Sequence, residues 1–344
     1  MKAMVLEQHN APLNWQDVRE PEIGPSDVLI RVVANGLCAT DLKITGGLVP
    51  TVPLPHIPGH EAAGEVVEVG AEVPGLQQGD HVTCYPTEGC GFCDYCRKGM
   101  ENYCVTAPRT GFEINGGFSE FMRVSGRNAV KISPEVPWGE AAIIPDAMAS
   151  VYHALTHRAR VQPGETVVII GIGGLGIHAM QMASLMGARV IAADVVPDKL
   201  LGAEQFNPDV IVNSRTESLP ERVRELTNGL GADVVVEGVG GEAVAAVLPD
   251  SLACLKLGGR LVILGYNYGI PLAVDTADLI YGQWSILGTR ASNLQDVVEV
   301  VKLVEQGKIK PVVSETYPLQ EVEQALAKLR ESPPLGRIVL QSGA

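Results

Sequence analysis

The sequence predicts an α/β domain built on a doubly wound parallel sheet, joined to an antiparallel, barrel-like β domain. Three observations carry that expectation. At 344 residues the chain exceeds what one hydrophobic core usually sustains, so two domains are the starting point. The texture changes near residue 147, after which apolar strands alternate with helical stretches. A glycine-rich turn joins the first of those strands to its helix, which is where such folds receive phosphates.

Up to about residue 145 the chain offers short alternating runs, DVLIRVVANG, EAAGEVVEVG and DHVTCYP, cut by Pro and Gly clusters such as VPTVPLPHIPGH. This is the pattern of antiparallel strands joined by turns. From about 147, strands in TVVIIG, RVIAAD, DVIVN, ADVVVEGV, RLVILG and SILGT alternate with helices in IHAMQMASLM, PDKLLGAEQ, SLPERVRELTN and EAVAAVLPDSLACL. Such apolar strands with helices between them form a parallel sheet covered on both faces. After about 288 come a helix (DVVEVVKLVEQG), a strand (KPVVSETYPL), a second helix (EVEQALAKLR) and a closing strand (GRIVLQ). This tail is too short to stand alone and is expected to complete the first domain. The expected divisions are therefore 1–146, 147–288 and 289–344.

With 46% hydrophobic and 19% charged residues the chain reads as globular, and a net charge of -14 disfavours nucleic acid and anionic membranes as partners. The opening MKAMVLEQHNAPLNW lacks the basic-then-apolar order of a signal peptide, and no apolar run is long enough to span a bilayer. The expected location is the cytoplasm. Thiols stay reduced there, so clustered cysteines read as metal ligands before disulfides.

Strand TVVII runs into Gly171, Ile172, Gly173, Gly174, Leu175 and Gly176, a GxGxxG turn ahead of a helix. The first glycine permits a tight turn, the second lets the backbone approach a pyrophosphate, and the third lets helix and strand pack. RVIAAD ends on Asp194, within the ~20-residue spacing of dinucleotide sites, where a carboxylate accepts from the ribose of NAD and repels the 2′-phosphate of NADP. Lys199 follows one helical turn later and is either a ribose contact or an exposed helix-start lysine. The bland alternative for the whole unit is a glycine turn with an acid at a strand end.

Four of the seven cysteines, Cys90, Cys93, Cys96 and Cys104, have the spacing CxxCxxCx7C within a lobe at about 88–106. Ferredoxin-type runs place the fourth cysteine differently. Four thiolates complete a tetrahedral Zn²⁺ shell and leave no position for substrate, so a zinc here is structural. Disulfides or free thiols are the alternative. Cys38 in GLCATD and His60 in PGHE stand at Gly/Pro-rich turns, and each by itself is as readily a packed residue as a ligand.

The run Gly59, His60, Glu61, Gly64, Gly70 and Val73, with GLCATD, the cysteine lobe and the glycine turn in that order, resembles the zinc-dependent medium-chain alcohol dehydrogenases of the NAD-dependent, two-zinc type. The likeness spans essentially the whole chain. It implies a GroES-like catalytic domain made from both chain ends, an inserted Rossmann domain, two zincs per subunit, and NAD(H). The implied reaction is hydride transfer between an alcohol and NAD, giving aldehyde or ketone. By position, Cys38 and His60 match two catalytic zinc ligands, and Asp146 in IIPDAMASVYHAL stands where many relatives carry a third, cysteine ligand. Aspartate and cysteinate are both monoanions, so the formal charge of the shell is unchanged; an N-cap for the following helix is the other reading of Asp146. Glu61 is a transient fourth ligand or an orienting group.

The resemblance also makes Thr40 the hydroxyl that passes the alcohol proton outward, unless it is a plain turn threonine. Lys43 occupies the position of a histidine relay, and with an ordinary pKa near ~10.4 it is a poor acceptor, so the proton leaves through the cofactor ribose and water or through a lysine shifted by burial. Leu287 in SILGT resembles the strand that holds the nicotinamide carboxamide. Arg337 resembles a late arginine that meets the pyrophosphate, with an exposed strand arginine as the alternative. The loop GGLVPTVPLP, Tyr85 and Trp284 are expected near the pocket, favouring an apolar primary or secondary alcohol over a polyol or amino alcohol. A non-catalytic zinc and NAD-binding protein is the reading from another class. A homo-oligomer is expected, a tetramer ahead of a dimer.

Overall fold

The computed structural model describes residues 1–342. They form two compact units, one from Met1–Ala149 with Ser292–Gly307 and the chain from Pro311 onward, the other from Ser150–Ala291 with Lys308–Lys310.

In the first unit a seven-stranded sheet has the order Val313–Pro318, Arg337–Gln341, Asp27–Leu37, Glu61–Val69, His81–Cys84 and Ala129–Lys131, with Phe121–Ser125 also pairing on Asp27–Leu37. Only Val313–Pro318 and Arg337–Gln341 run parallel; the other pairs are antiparallel. Val28, Ile30 and Val32 put alternate side chains into one core with Val66, Val82, Met122 and Val124. The returning tail joins the sheet centrally, because Arg337–Gln341 pairs with residues 34–37 of the longest strand. Two local elements escape the sequence pattern. Lys2–Val5 and Asn14–Asp17 make a small antiparallel ribbon, and Cys38 opens a helix, Ala39–Thr45, where a turn was expected.

The second unit holds six parallel strands in the order Val210–Asn213, Arg189–Asp194, Thr166–Ile170, Ala232–Glu237, Leu255–Ile263 and Ser285–Gly288. The central strands are buried on both faces, which is why TVVII and DVVVE carry unbroken apolar runs. Winding reverses between Thr166–Ile170 and Ala232–Glu237, the switch point at which such sheets bind ligands beyond their C-terminal strand ends. One helix, Thr276–Gly282, is too short to show periodicity in the sequence; its N-cap Asp275 accepts the Ala277 N–H at 2.7 Å. Among the described residues no helix is long and apolar enough to cross a membrane.

Candidate active site

Three neighbouring strands of the first unit assemble one cluster. Cys38 follows the end of Asp27–Leu37, Arg337 opens the strand on one side, and Glu61 opens the strand on the other, paired with Gly36. Gly36 must lack a side chain, because a Cβ there would lie 2.2 Å from Glu61 Oε2. Cys38 sits at the N-cap of Ala39–Thr45, and its backbone N–H donates to Asp41 Oδ2 at 2.8 Å. His60 leaves a turn in which Gly59 has φ +98° and no room for a Cβ against Phe118. Its buried ring lies 5.1 Å from the Phe112 ring, with Nδ1 3.4 Å from Asp41 Oδ1 and Nε2 3.9 Å from Asp146 Oδ2. Asp146 comes from a π-helical turn, Ile144–Met148.

The ligand atoms of Cys38, His60, Glu61 and Asp146 all lie within 4.8 Å of one another. Arg337 stands among them, donating to Asp146 Oδ2 and pairing with Glu61 Oε1, both at 2.8 Å, with Cys38 Sγ at 3.4 Å. Its side chain is 6% exposed. Arg337 is therefore not the exposed strand arginine of the alternative reading: the guanidinium is turned inward to two carboxylates and a sulfur.

Burial opposes ionisation of Asp146, yet the neighbouring His60 and the charge of Arg337 outweigh it and hold the carboxyl well below the usual range. Burial likewise raises the Cys38 thiol, but the Arg337 charge works against it and the thiol lies below its ordinary range. For His60 burial disfavours the cation, and Asp41 with Asp146 reverses that. A cysteine sulfur, an imidazole with a carboxylate behind it and an ionised carboxylate fit Zn²⁺ with three protein ligands.

The second cluster is the cysteine lobe. The sulfurs of Cys90, Cys93, Cys96 and Cys104 lie within 4.8 Å of one another and none is in a disulfide. Cys90 Sγ accepts the N–H groups of Phe92 and Cys93 at 3.5 and 3.3 Å, and Cys93 Sγ that of Cys96 at 3.4 Å. The Cys90 backbone N–H and the Thr106 hydroxyl hold the Cys104 thiol below its ordinary range. Such donors stabilise thiolates, as a tetrahedral zinc shell requires. Arg127 donates to buried Glu101 at 3.1 Å and ties the lobe to the sheet.

In the second unit the glycine turn divides its labour. Gly171 has φ +88°, and a Cβ at Gly176 would lie 1.9 Å from the Gly171 carbonyl oxygen. Gly173, by contrast, has nothing within 4 Å of where a Cβ would stand, so its open side suits a pyrophosphate. Asp194 Oδ2 accepts the Ile172 N–H at 2.7 Å, and Oδ1 those of Val195 and Val196 at 2.7 and 3.0 Å. Gly174 and Leu175 complete the turn, Lys199 is half-buried on Pro197–Ala203, and Leu287 lies in the edge strand Ser285–Gly288.

Residues 24–134 match the alcohol dehydrogenase GroES-like domain and residues 174–306 the zinc-binding dehydrogenase domain. An alcohol dehydrogenase of Geobacillus stearothermophilus is 35% identical over 99% of this chain and 99% of its own. The chain belongs to the zinc-dependent medium-chain alcohol dehydrogenase family. A crystal structure of an NAD-dependent alcohol dehydrogenase superposes with a TM-score of 0.94 at 32% identity, covering 100% of both chains. An acryloyl-coenzyme A reductase of Metallosphaera sedula is 32% identical over 99% of both chains. As a family member the chain is an NAD-dependent oxidoreductase of the zinc type, acting on a small alcohol or aldehyde. Its GroES-like and Rossmann halves are those expected from the sequence.

Within this zinc-type dehydrogenase, sequence reasoning missed Asp41. Its signal was an acid three residues after Cys38, the N3 position of a capping box, hidden because Cys38 was read as part of a turn. One expected pocket residue is corrected: Tyr85 is 1% exposed and its hydroxyl donates to the Ser292 carbonyl at 2.6 Å. Trp284 is half-buried, packs against the core of the second unit, and its indole donates to the Lys256 carbonyl at 3.0 Å. Thr40 is half-buried in the first turn after Cys38, and burial pulls the Lys43 ammonium below the usual lysine range.

Proposed function

We propose that Cys38, His60 and Asp146 hold the catalytic zinc, with Glu61 as a transient ligand, and that the enzyme oxidises apolar primary or secondary alcohols. The convergence of one sulfur, one imidazole and two carboxylates within 4.8 Å carries this reading. Bound zinc supplies a Lewis acid that polarises the substrate oxygen, and bound NAD supplies the hydride acceptor. Asp41 holds His60 at Nδ1 and leaves Nε2 for the metal. Arg337 balances the negative charge that Glu61 and Asp146 bring to the cluster. Thr40 takes the alcohol proton outward, and its exit runs through the cofactor ribose and water or through Lys43, whose ammonium burial pulls below the ordinary lysine range. Cys90, Cys93, Cys96 and Cys104 hold the structural zinc.

Residues 1–146 with 289–344 form the catalytic part in this reading, and 147–288 bind NAD through Gly171 to Gly176, Asp194, Lys199 and Leu287. Exposed Ile280 and Tyr281 beside the edge strand Ser285–Gly288 support self-association, with a tetramer in a reduced cytoplasm as the proposed state.

Zinc analysis with NADH absorbance across alcohols and polyols tests the function. The expected result is two zincs per chain and alcohol-dependent NADH, strongest for apolar substrates. A preference for polyols or amino alcohols would move the substrate class, and one zinc without turnover would leave a binding protein. The acryloyl-coenzyme A reductase relative motivates one rival: NADH consumption by an acryloyl thioester, with no response to alcohols, would replace the alcohol reading.

Asp194→Ser is expected to lower kcat/KM for NAD by about 10–100-fold, the scale of hydrogen bonds to a charged acceptor, and to raise it for NADP. Part of the loss comes from the glycine turn, since Asp194 also anchors the Ile172 N–H. Unchanged NAD and NADP kinetics would remove Asp194 from the ribose site.

A further inference from the structure

Glu237 ends the strand Ala232–Glu237, beside Thr166–Ile170 at the switch point of the parallel sheet. It is a carboxyl with 0% exposure on a strand whose other central residues are valines. A buried acid in that place needs a compensating structure. Its Oε1 accepts the N–H groups of Val239 and Gly240 at 2.7 and 2.9 Å, folding the side chain onto the turn that follows its own strand. Its Oε2 has no hydrogen-bond partner and faces Gly265, where an added Cβ would lie 3.0 Å away.

The backbone of the same residue reaches the next turn, for the Glu237 carbonyl accepts the Leu264 N–H at 2.9 Å and the Gly265 N–H at 3.3 Å. The two turns touch backbone to backbone, since a Cβ at Gly265 would come 2.3 Å from the Gly240 nitrogen. Residues 238 and 239 in turn press on the glycine turn. The Gly238 N–H donates to the Ile170 carbonyl at 2.9 Å, and Gly171 has no space for a Cβ because Val239 would be 2.7 Å from it. Glu237 thus fastens the loops that follow two neighbouring strands, its side chain holding the turn after its own strand and its backbone carbonyl the turn after the next, beside the turn that receives the dinucleotide.

We propose that Glu237 is a positioning residue for the cofactor: its side chain holds turn 238–241, which packs on turn 264–266, as the second wall of the dinucleotide crevice, and sets NAD affinity without touching the reacting atoms. This rests on the reading that Gly171 to Gly176 bind the dinucleotide. Ligands of such sheets lie beyond the strand ends at the switch point, so the turn after Ala232–Glu237 borders that space by topology. Burial pushes the Glu237 carboxyl above its ordinary range, against the pull of the turn N–H groups. The turn needs an acceptor oxygen at Oε1, which a glutamine keeps and a leucine lacks.

The test uses the zinc-loaded full-length enzyme and NADH fluorescence titration, with steady-state kinetics in both cofactor and alcohol. Glu237→Leu is expected to raise the NADH Kd and the NAD KM by about 10-fold or more, the loss of one to two hydrogen bonds, with a smaller change in kcat. Glu237→Gln is expected to restore both to near the wild-type values. If the leucine variant does not fold, Glu237→Ala, which removes the acceptor without adding a branched side chain, carries the same expectation as leucine. A wild-type Kd in Glu237→Leu or Glu237→Ala, a loss confined to kcat, or failure of glutamine to restore binding would overturn the proposal. Gly173→Val separates the two readings. If it leaves NADH binding intact the glycine-turn assignment fails, whereas if it abolishes binding and Glu237→Leu does not alter it, only the role of Glu237 is lost.

Discussion

Cys38→Ser is expected to cut kcat/KM for the best alcohol by well over ~100-fold, because changing a residue behind a metal ligand already costs 10–100-fold and this removes a ligand itself. Zinc content should fall from two per chain to one, while NADH binding to the second unit persists. The physical reason lies in the charge around Sγ. Arg337 favours the thiolate over the pull of burial, and serine, which stays protonated, offers neither the soft donor nor the negative charge. Its loss leaves the Arg337 guanidinium facing only Glu61 and Asp146, a tighter ion cluster that competes with metal for the same oxygens. Full activity in Cys38→Ser would sink the zinc assignment. Loss of activity with both zincs retained would instead point to Cys38 acting without ligating.

Cys104→Ser should act on stability in place of chemistry. Structural zinc binding is folding free energy, and a shell reduced to three thiolates loses much of it. A cost of several kcal/mol in a unit of this size corresponds to a fall in Tm of about 10 °C or more. Cys104 is the far member of the lobe, the other three lying within Cys90 to Cys96, so its loss also frees the turns that carry Tyr103 and Glu101 from the metal. Zinc per chain should drop by one, and residual kcat per correctly folded chain should remain measurable. An unchanged Tm with full zinc content would remove the structural role from the lobe.

The parallel sheet was legible because a strand buried on both faces must be apolar throughout, and RVIAAD or ADVVVE read the same way in sequence and in space. The helix Ala39–Thr45 was not, since it is a seven-residue element whose start is a metal-ligand candidate and whose cap is an aspartate serving His60 as well. Tyr85 misled because an aromatic with a polar tip suits a pocket wall and a satisfied core position equally well, and it spends that tip on a backbone carbonyl.

The sequence by itself determined what is local. The cysteine spacing brings four sulfurs within one short lobe, and the glycine turn needs positive φ and missing side chains at residues that adjoin in the chain. Only the tertiary structure decided what depends on strand pairing between distant segments. Register along Asp27–Leu37 brings Glu61 against Gly36 on one side and Arg337 beside Cys38 on the other, across about 300 residues of chain. No periodicity encodes that meeting, because pairing partners are chosen by the burial of whole strand faces and not by the residues that end up at the site. The same reason hid the contacts of Arg337, whose inward turn to Glu61 and Asp146 follows from the central place of its strand, and of Glu237, whose buried carboxyl is explained by the turn it holds after its own strand.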